Sequence, residues 1–538
     1  DQQTGTKSGY GSFLTVAFPI QVCYTEEKTK RKKEDPSVQY LKRSTPSKQN
    51  IDPQAVLDLL RYYDKHQTGV HSIMILRHDQ VVAEAWWAPY RPSYLNALFS
   101  MSKSFTSTAV GFAVQEGKMS LSDRLIDYFP DELPQDAEPC GYMKQLTIRD
   151  TLRMATGHVV EPKLKNPDGK TWAFQFLSSY IEKTPGSHYL YNTAGSYMLS
   201  AAVQKAVGMT VEEYLAPRLF EPLGFGEHWW EESPEGVSAG GYGFNLCTED
   251  IAKFGVFLLR RGAYGGKQLL DPQWVDEATA KQMEFTAHPN IDSRQGYGYQ
   301  FWRCQPEGSY RAAGAFAQFC IVLPKQDMVI AVTSGAQDTQ PVLTALWEIL
   351  LPGVDRLASG DAEKTERELS GFAAGVTLSM PRGAAHSEKE ALYAACEYRL
   401  SDNLLGIDTV SFLPEREMKV RFTVRGKQSV LPAPCGRWAD GQLDGMKNLD
   451  FHAAAPMDDR VACSGGWESP DRFTLFINYP CTPFTDLLTF SFDGFGFTLH
   501  HQRKTGFQLI DRVYFGRPVT GAEETTGDGG NVSAECRF

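Results

Sequence analysis

Three things are missing from this sequence, and each absence removes a class of function. No stretch of the 538 residues approaches the about 20 consecutive apolar residues that a membrane-spanning helix requires. There is no surplus of positive charge: 54 Lys and Arg stand against 65 Asp and Glu, a net charge of −11. That balance disfavours nucleic acid or an anionic membrane surface as the main partner. The ten cysteines include no C-x-x-C pair and no short Cys/His cluster, so a zinc site is not expected. Many of their neighbours are apolar, as in Phe319-Cys320-Ile321, which suits reduced core thiols and favours a cytoplasmic location.

What remains is a globular composition, 42% hydrophobic and 12% aromatic, in a chain longer than one hydrophobic core usually serves. Two domains are expected. Residues 1–50 read as an N-terminal extension. Within it, 12–24 is an early strand or a tail packed on the body, and 25–50, mixed in charge and poor in apolar residues, is a solvated linker. The basic cluster at 28–33 is flanked by acidic residues and reads as part of that solvated loop.

The chemistry centres on residues 99–112, FSMSKSFTSTAVGF. If this segment is helical, Ser100 and Lys103 rise from one face, one turn apart. A serine hydroxyl is a weak nucleophile at neutral pH, and a lysine stripped of water can lose its proton and act as the base that activates it. The free N–H groups and positive dipole of a helix start favour negative charge developing on an acyl oxygen. Ser-x-x-Lys at a helix start is therefore a sensible acylation device, though four residues recur by chance and the rest of the chain must supply the other parts.

Read in order, 51–66 has helical spacing at Val56, Leu59, Leu60 and Tyr63, opened by Asp52-Pro53. Strand patterns at 70–77 and 81–86 flank the polar turn His78-Asp79-Gln80. Short helices are expected at 122–130 and 147–154, then an apolar helix over 193–207 stopped by Gly208, followed by a Thr210/Glu213 capping box. From Tyr297 the pattern returns to strands, YGYQFW, YRAAGAFAQFCIVLP and MVIAVTSG, and an apolar helix at 342–351 closes this half. Helices in the middle with strands at both ends imply one antiparallel sheet with helices packed on it. Residues 353–390 read as a linker, and the strand-length runs of 391–538 as an all-β barrel or sandwich.

Ser100-Met101-Ser102-Lys103, Tyr191-Asn192-Thr193 and the run AAGAFAQ at 312–318 together resemble the three motifs of the serine β-lactamase and penicillin-binding-protein superfamily, in the class C branch with its esterases, D-aminopeptidases and oligoamide hydrolases. The surrounding text over about 55–352 is similar too. The resemblance implies an α+β catalytic domain at 51–352: an antiparallel sheet flanked by helices, with an all-helical subdomain. It also implies Ser100 as acyl-forming nucleophile, with Lys103 and Tyr191 as its acid–base pair. Tyr189, two residues upstream, is the competing tyrosine; Tyr191 is favoured because it leads the motif. The backbone N–H groups of Ser100 and Ala315 would form the oxyanion hole, and Thr193, Ala313, Gly314 and Tyr297 would meet substrate. Thr193 stands where the family has Asn, and Ala312-Ala313-Gly314 where it has Lys-Thr-Gly or His-x-Gly. The cation that grips a substrate carboxylate is thus missing, and alternation points the adjacent Arg311 elsewhere.

The expectation is a serine hydrolase of a small ester or amide with an uncharged or apolar acyl group, using no metal or cofactor. True β-lactamase activity is disfavoured. The same acyl-enzyme could serve an acyltransferase, and a non-catalytic acyl-binding sensor is the contrasting class. His158, Trp229, Trp230 and Trp302 are candidates near the site whose simpler reading is structural.

Overall fold

The computed structural model describes residues 40–132, 141–165, 169–285, 288–358, 360–444 and 459–519. The expected strand or tail at 12–24 and the solvated loop over 25–39 lie outside these residues.

A seven-stranded sheet forms the centre of the N-terminal half. From edge to edge its strands are Lys42–Arg43, Gln80–Trp86, Val70–Arg77, Met328–Ser334, Gln318–Leu323, Tyr310–Gly314 and Trp302–Arg303. All neighbours are antiparallel except the short Lys42–Arg43 strand. Both faces are covered, and the period-2 alternation of strand side chains divides one strand between two cores. Ile73 and Ile75 face the layer formed by helix Pro53–Lys65 and the helical segment Gln340–Leu350, while Met74 and Leu76 face helices Ser102–Gln115 and Thr248–Leu259. Helix Pro53–Lys65 starts where Asp52 accepts the Gln54 N–H, and it buries Val56, Leu57, Leu59, Leu60 and Tyr63. Each such side chain contributes about 1.5–3 kcal/mol relative to exposure.

Several boundaries differ from expectation. Residues 40–50 are not a solvated linker: Arg43 pairs with Glu84 at 2.9 Å and Glu249 at 2.8 Å, so charge complementarity fixes an apolar-poor segment to the sheet edge. The run from Tyr310 is two strands, because the chain reverses through a 3₁₀ turn at Ala315–Ala317. Of YGYQFW, only Trp302 enters the sheet. The expected linker 353–390 contains helix Ala362–Gly375, which packs on Pro53–Lys65 and buries Leu369.

The C-terminal half is a single ten-stranded antiparallel sheet from Lys427–Pro432 at one edge to Ala439–Gln442 at the other. It curls until its edges meet, with Gly441 against Leu431 and Pro432, and forms a nearly closed barrel. Phe412 lies 5.1 Å from both Phe490 and Phe492, and Trp467 5.1 Å from Phe473. The barrel interior is therefore a packed aromatic core rather than a container. No helix among the described residues is long and apolar enough to cross a membrane.

Candidate active site

Ser100 sits in a 3₁₀ turn, Phe99–Met101, that runs directly into helix Ser102–Gln115. This helix is buried on every side over its first twelve residues, including Ser102, Lys103, Ser104, Thr106 and Thr108. An all-round buried helix tolerates such residues when its polar groups find partners, and here most do, Ser107 Oγ being left without one. Ser102 donates to the Phe99 carbonyl, Ser104 to Gln300 O and Thr106 to Gly240 O, at 2.7, 2.7 and 2.8 Å. These bonds lock the helix start, and with it the turn that carries Ser100.

Lys103 Nζ donates to Ser100 Oγ at 3.2 Å, to Thr193 Oγ1 at 3.4 Å and to the Gly241 carbonyl at 2.7 Å. Its side chain is 1% exposed, and burial brings its pKa down to about 7, opposed in part by the negative charge of Glu161. An ordinary lysine is almost fully protonated at neutral pH; this one carries a substantial fraction of free amine.

Tyr191 precedes helix Thr193–Val207, whose cap is the Asn192 side chain accepting the Gly195 N–H. The tyrosine ring stacks on Trp302 at 5.9 Å, meets Tyr297 edge-on at 6.3 Å and lies 4.9 Å from Lys103 Nζ. Burial raises the phenol pKa well above its usual value, while hydrogen bonding with Ser100 pulls it down. The group stays protonated at neutral pH. Tyr189 lies in the same aromatic cluster, and its buried hydroxyl has no hydrogen-bond partner.

Ser100, Lys103, Tyr191 and Thr193 thus converge, and Ala313 borders the Tyr191 cluster. Tyr297 does not face open space as a substrate contact would. It is 1% exposed, with its ring packed edge-on against Tyr191 and Tyr189. The close approach that requires Gly314 is to the chain itself, since a Cβ there would lie 2.0 Å from the Leu98 carbonyl. This contact ties the end of strand Tyr310–Gly314 to the Ser100 turn. Among the described residues, neither Ser100 N–H nor Ala315 N–H donates to a backbone carbonyl beyond its own turn. Arg311 is turned aside, donating to the Arg303 carbonyl at 2.8 Å and Ser293 Oγ at 3.2 Å.

His158 is structural. It bridges Thr156 and Ser179 at 2.9 and 2.8 Å, and burial holds its pKa down to about 4. Trp230 packs on Phe244 at 4.4 Å within the core. Two participants carry no signal in the sequence. Glu161, from an irregular loop, accepts the Thr193 N–H at 2.5 Å and acts electrostatically on both Lys103 and Tyr191. Gly241 supplies the carbonyl that anchors Lys103.

A family model described as Beta-lactamase matches residues 57–352. Among curated relatives, the 6-aminohexanoate-dimer hydrolase of Paenarthrobacter ureafaciens is 22% identical over 310 residues, covering 54% of this chain and 77% of that protein. The Beta-lactamase of Escherichia coli K12 is 25% identical over 325 residues, covering 49% and 81%. Among solved structures, an octameric penicillin-binding protein homologue from Pyrococcus abyssi aligns with 86% of this chain and 99% of its own, at 14% identity and a TM-score of 0.45. With the family model spanning more than half of its length, this chain belongs to the Beta-lactamase family.

Proposed function

We propose that this protein is a serine hydrolase that cleaves an ester or amide through an acyl group carried on Ser100. The observation that carries the reading is the 3.2 Å contact between Ser100 Oγ and a buried Lys103 amine whose pKa lies near 7. Lys103 is the base. As Ser100 Oγ attacks the substrate carbonyl carbon, its proton passes to the free amine. The tetrahedral oxyanion rests on the N–H groups of Ser100 and Ala315. When the intermediate collapses, the leaving alcohol or amine takes a proton supplied by Lys103 through the protonated Tyr191 phenol. Water then attacks the acyl ester by the same route in reverse and frees Ser100.

The electrostatics favour an uncharged or apolar acyl group. Ala312 is buried in the core and Ala313 brings no charge, so this edge of the site offers no cation to a substrate carboxylate. Arg311 is committed elsewhere, and the Glu161 carboxylate beside Thr193 repels an anion. The relative named as a 6-aminohexanoate-dimer hydrolase is consistent with hydrolysis of a non-β-lactam bond.

A panel of p-nitrophenyl esters, D-amino-acid amides and a chromogenic cephalosporin tests the reading. Turnover of an ester or amide by the wild-type protein and its loss in Ser100→Ala are expected. No turnover of any member, or equal turnover by the Ser100→Ala variant, would contradict it.

A further inference from the structure

Phe99 and Phe316 flank the two backbone N–H groups assigned above to the oxyanion. Phe99 immediately precedes Ser100, and Phe316 immediately follows Ala315. Both have left-handed backbones, with φ of 48° and 62°. A bulky side chain rarely adopts that conformation, and it persists only where the surroundings over-determine it.

Here the surroundings come from the other half of the molecule. The rings of Phe99 and Phe316 meet edge-on at 5.3 Å, and Phe484 and Phe507 of the β-barrel pack on both. Phe484 lies 6.4 Å from Phe99 and 5.6 Å from Phe316; Phe507 lies 5.8 and 5.0 Å away. Phe99, Phe316 and Phe484 belong to the barrel core, and Phe507 packs on the first two from its exposed side.

The barrel side of the cluster is itself fixed. The hairpin tip that carries Phe507 is fastened by Thr505 donating to the Gly335 carbonyl at 2.7 Å and by Gly506 N–H donating to Gln337 Oε1 at 3.1 Å. Beneath Phe484, the Arg503 guanidinium lies 5.6 Å from its ring and pairs with buried Asp486 at 2.6 Å; Asp486 also holds His501 at 2.9 Å. Ala97 N–H donates to the Cys481 carbonyl at 3.1 Å, three residues before the nucleophile.

From this geometry we infer that the C-terminal barrel is part of the catalytic apparatus, with Phe484 and Phe507 as positioning residues that clamp Phe99 and Phe316 and so hold the Ser100 and Ala315 N–H groups in oxyanion-binding geometry. The inference rests on the hydrolase reading above. It gives the barrel a role that its filled interior does not otherwise suggest. A clamp of this kind acts on transition-state stabilisation and not on ground-state affinity.

Phe507 is 44% exposed, so Phe507→Ala removes the ring without opening a buried cavity. In the full-length chain this variant should lose about tenfold in kcat with KM within about twofold, and its rate of fluorophosphonate labelling should fall in parallel. Phe507→Tyr, which keeps the ring, should restore both. Phe515→Ala, which removes a more exposed ring on the adjoining strand outside the cluster, should match wild type. Phe484→Leu provides a second variant should Phe507→Ala fail to fold, with the same selective loss of kcat. The clamp is overturned if wild type is labelled and Phe507→Ala turns over and labels at the wild-type rate, or if the loss appears in KM alone. A wild-type protein that takes no label overturns the hydrolase reading itself, and the clamp with it.

Discussion

The Gly241 carbonyl accepts from Lys103 Nζ at 2.7 Å, and a Cβ placed on Gly241 would stand 2.5 Å from Thr193 Cγ2 and 3.4 Å from Nζ itself. The amine is thus held by a backbone atom that can approach only because its residue has no side chain. Gly241→Ala should push Thr193 and the lysine apart, lowering kcat/KM by at least about tenfold and stability by about 1–3 kcal/mol, the usual range for overpacking. Steady-state kinetics and a denaturant titration measure the two effects. Wild-type values for both would mean that the amine is not positioned by this contact.

In the proposed mechanism Lys103 acts as the free amine, so kcat/KM should rise with pH through about 7 and fall about tenfold per unit below it. The Tyr191 phenol, raised by burial, does not ionise in that window. Glu161 raises the lysine pKa, so Glu161→Gln should move the acid limb to lower pH while keeping an acceptor for the Thr193 N–H. A pH–rate profile of both proteins with an uncharged ester checks this. A limb that stays in place or moves upward would separate Glu161 from the lysine.

Tyr191→Phe should leave folding intact and reduce kcat by about 10²–10⁴, the worth of positioned acid–base catalysis. Tyr189→Phe should behave in the opposite way. Its hydroxyl is buried without a partner, so removing it relieves a desolvated polar group; activity should persist and the melting temperature hold or rise. The reverse ranking in kcat at matched stability would move the catalytic tyrosine to position 189.

Substrate preference follows from the missing cation at Ala312 and the carboxylate at Glu161. The ratio of kcat/KM for p-nitrophenyl butyrate over benzylpenicillin should exceed one, and a higher value for the penicillin would refute the uncharged-acyl assignment.

Much of the site is legible in the sequence because local chemistry sets it. Asn192 and Gly208 bound the helix Thr193–Val207 at its expected residues, and the Thr210/Glu213 capping box forms as written. The Ser100–Lys103 spacing survives even though Ser100 stands in a 3₁₀ turn, because the chain passes without a break into the α-helix. Glu161, Gly241 and the Phe484–Phe507 pair are not legible. They arrive from a loop, a bend and two hairpin tips distant in sequence, where no periodicity or capping pattern reports spatial proximity. Tyr297 misleads for a related reason: a strand reading would give it one open face, and the rings of Tyr189, Tyr191 and Trp302 cover it instead.

The central claim is a covalent acyl group on Ser100, and intact mass spectrometry after incubation with a fluorophosphonate reads it most directly. One adduct per chain is expected, mapped by peptide digestion to Ser100, absent from Ser100→Ala and strongly slowed in Lys103→Ala. An unmodified wild-type chain, or an adduct that persists in Ser100→Ala, would contradict the account.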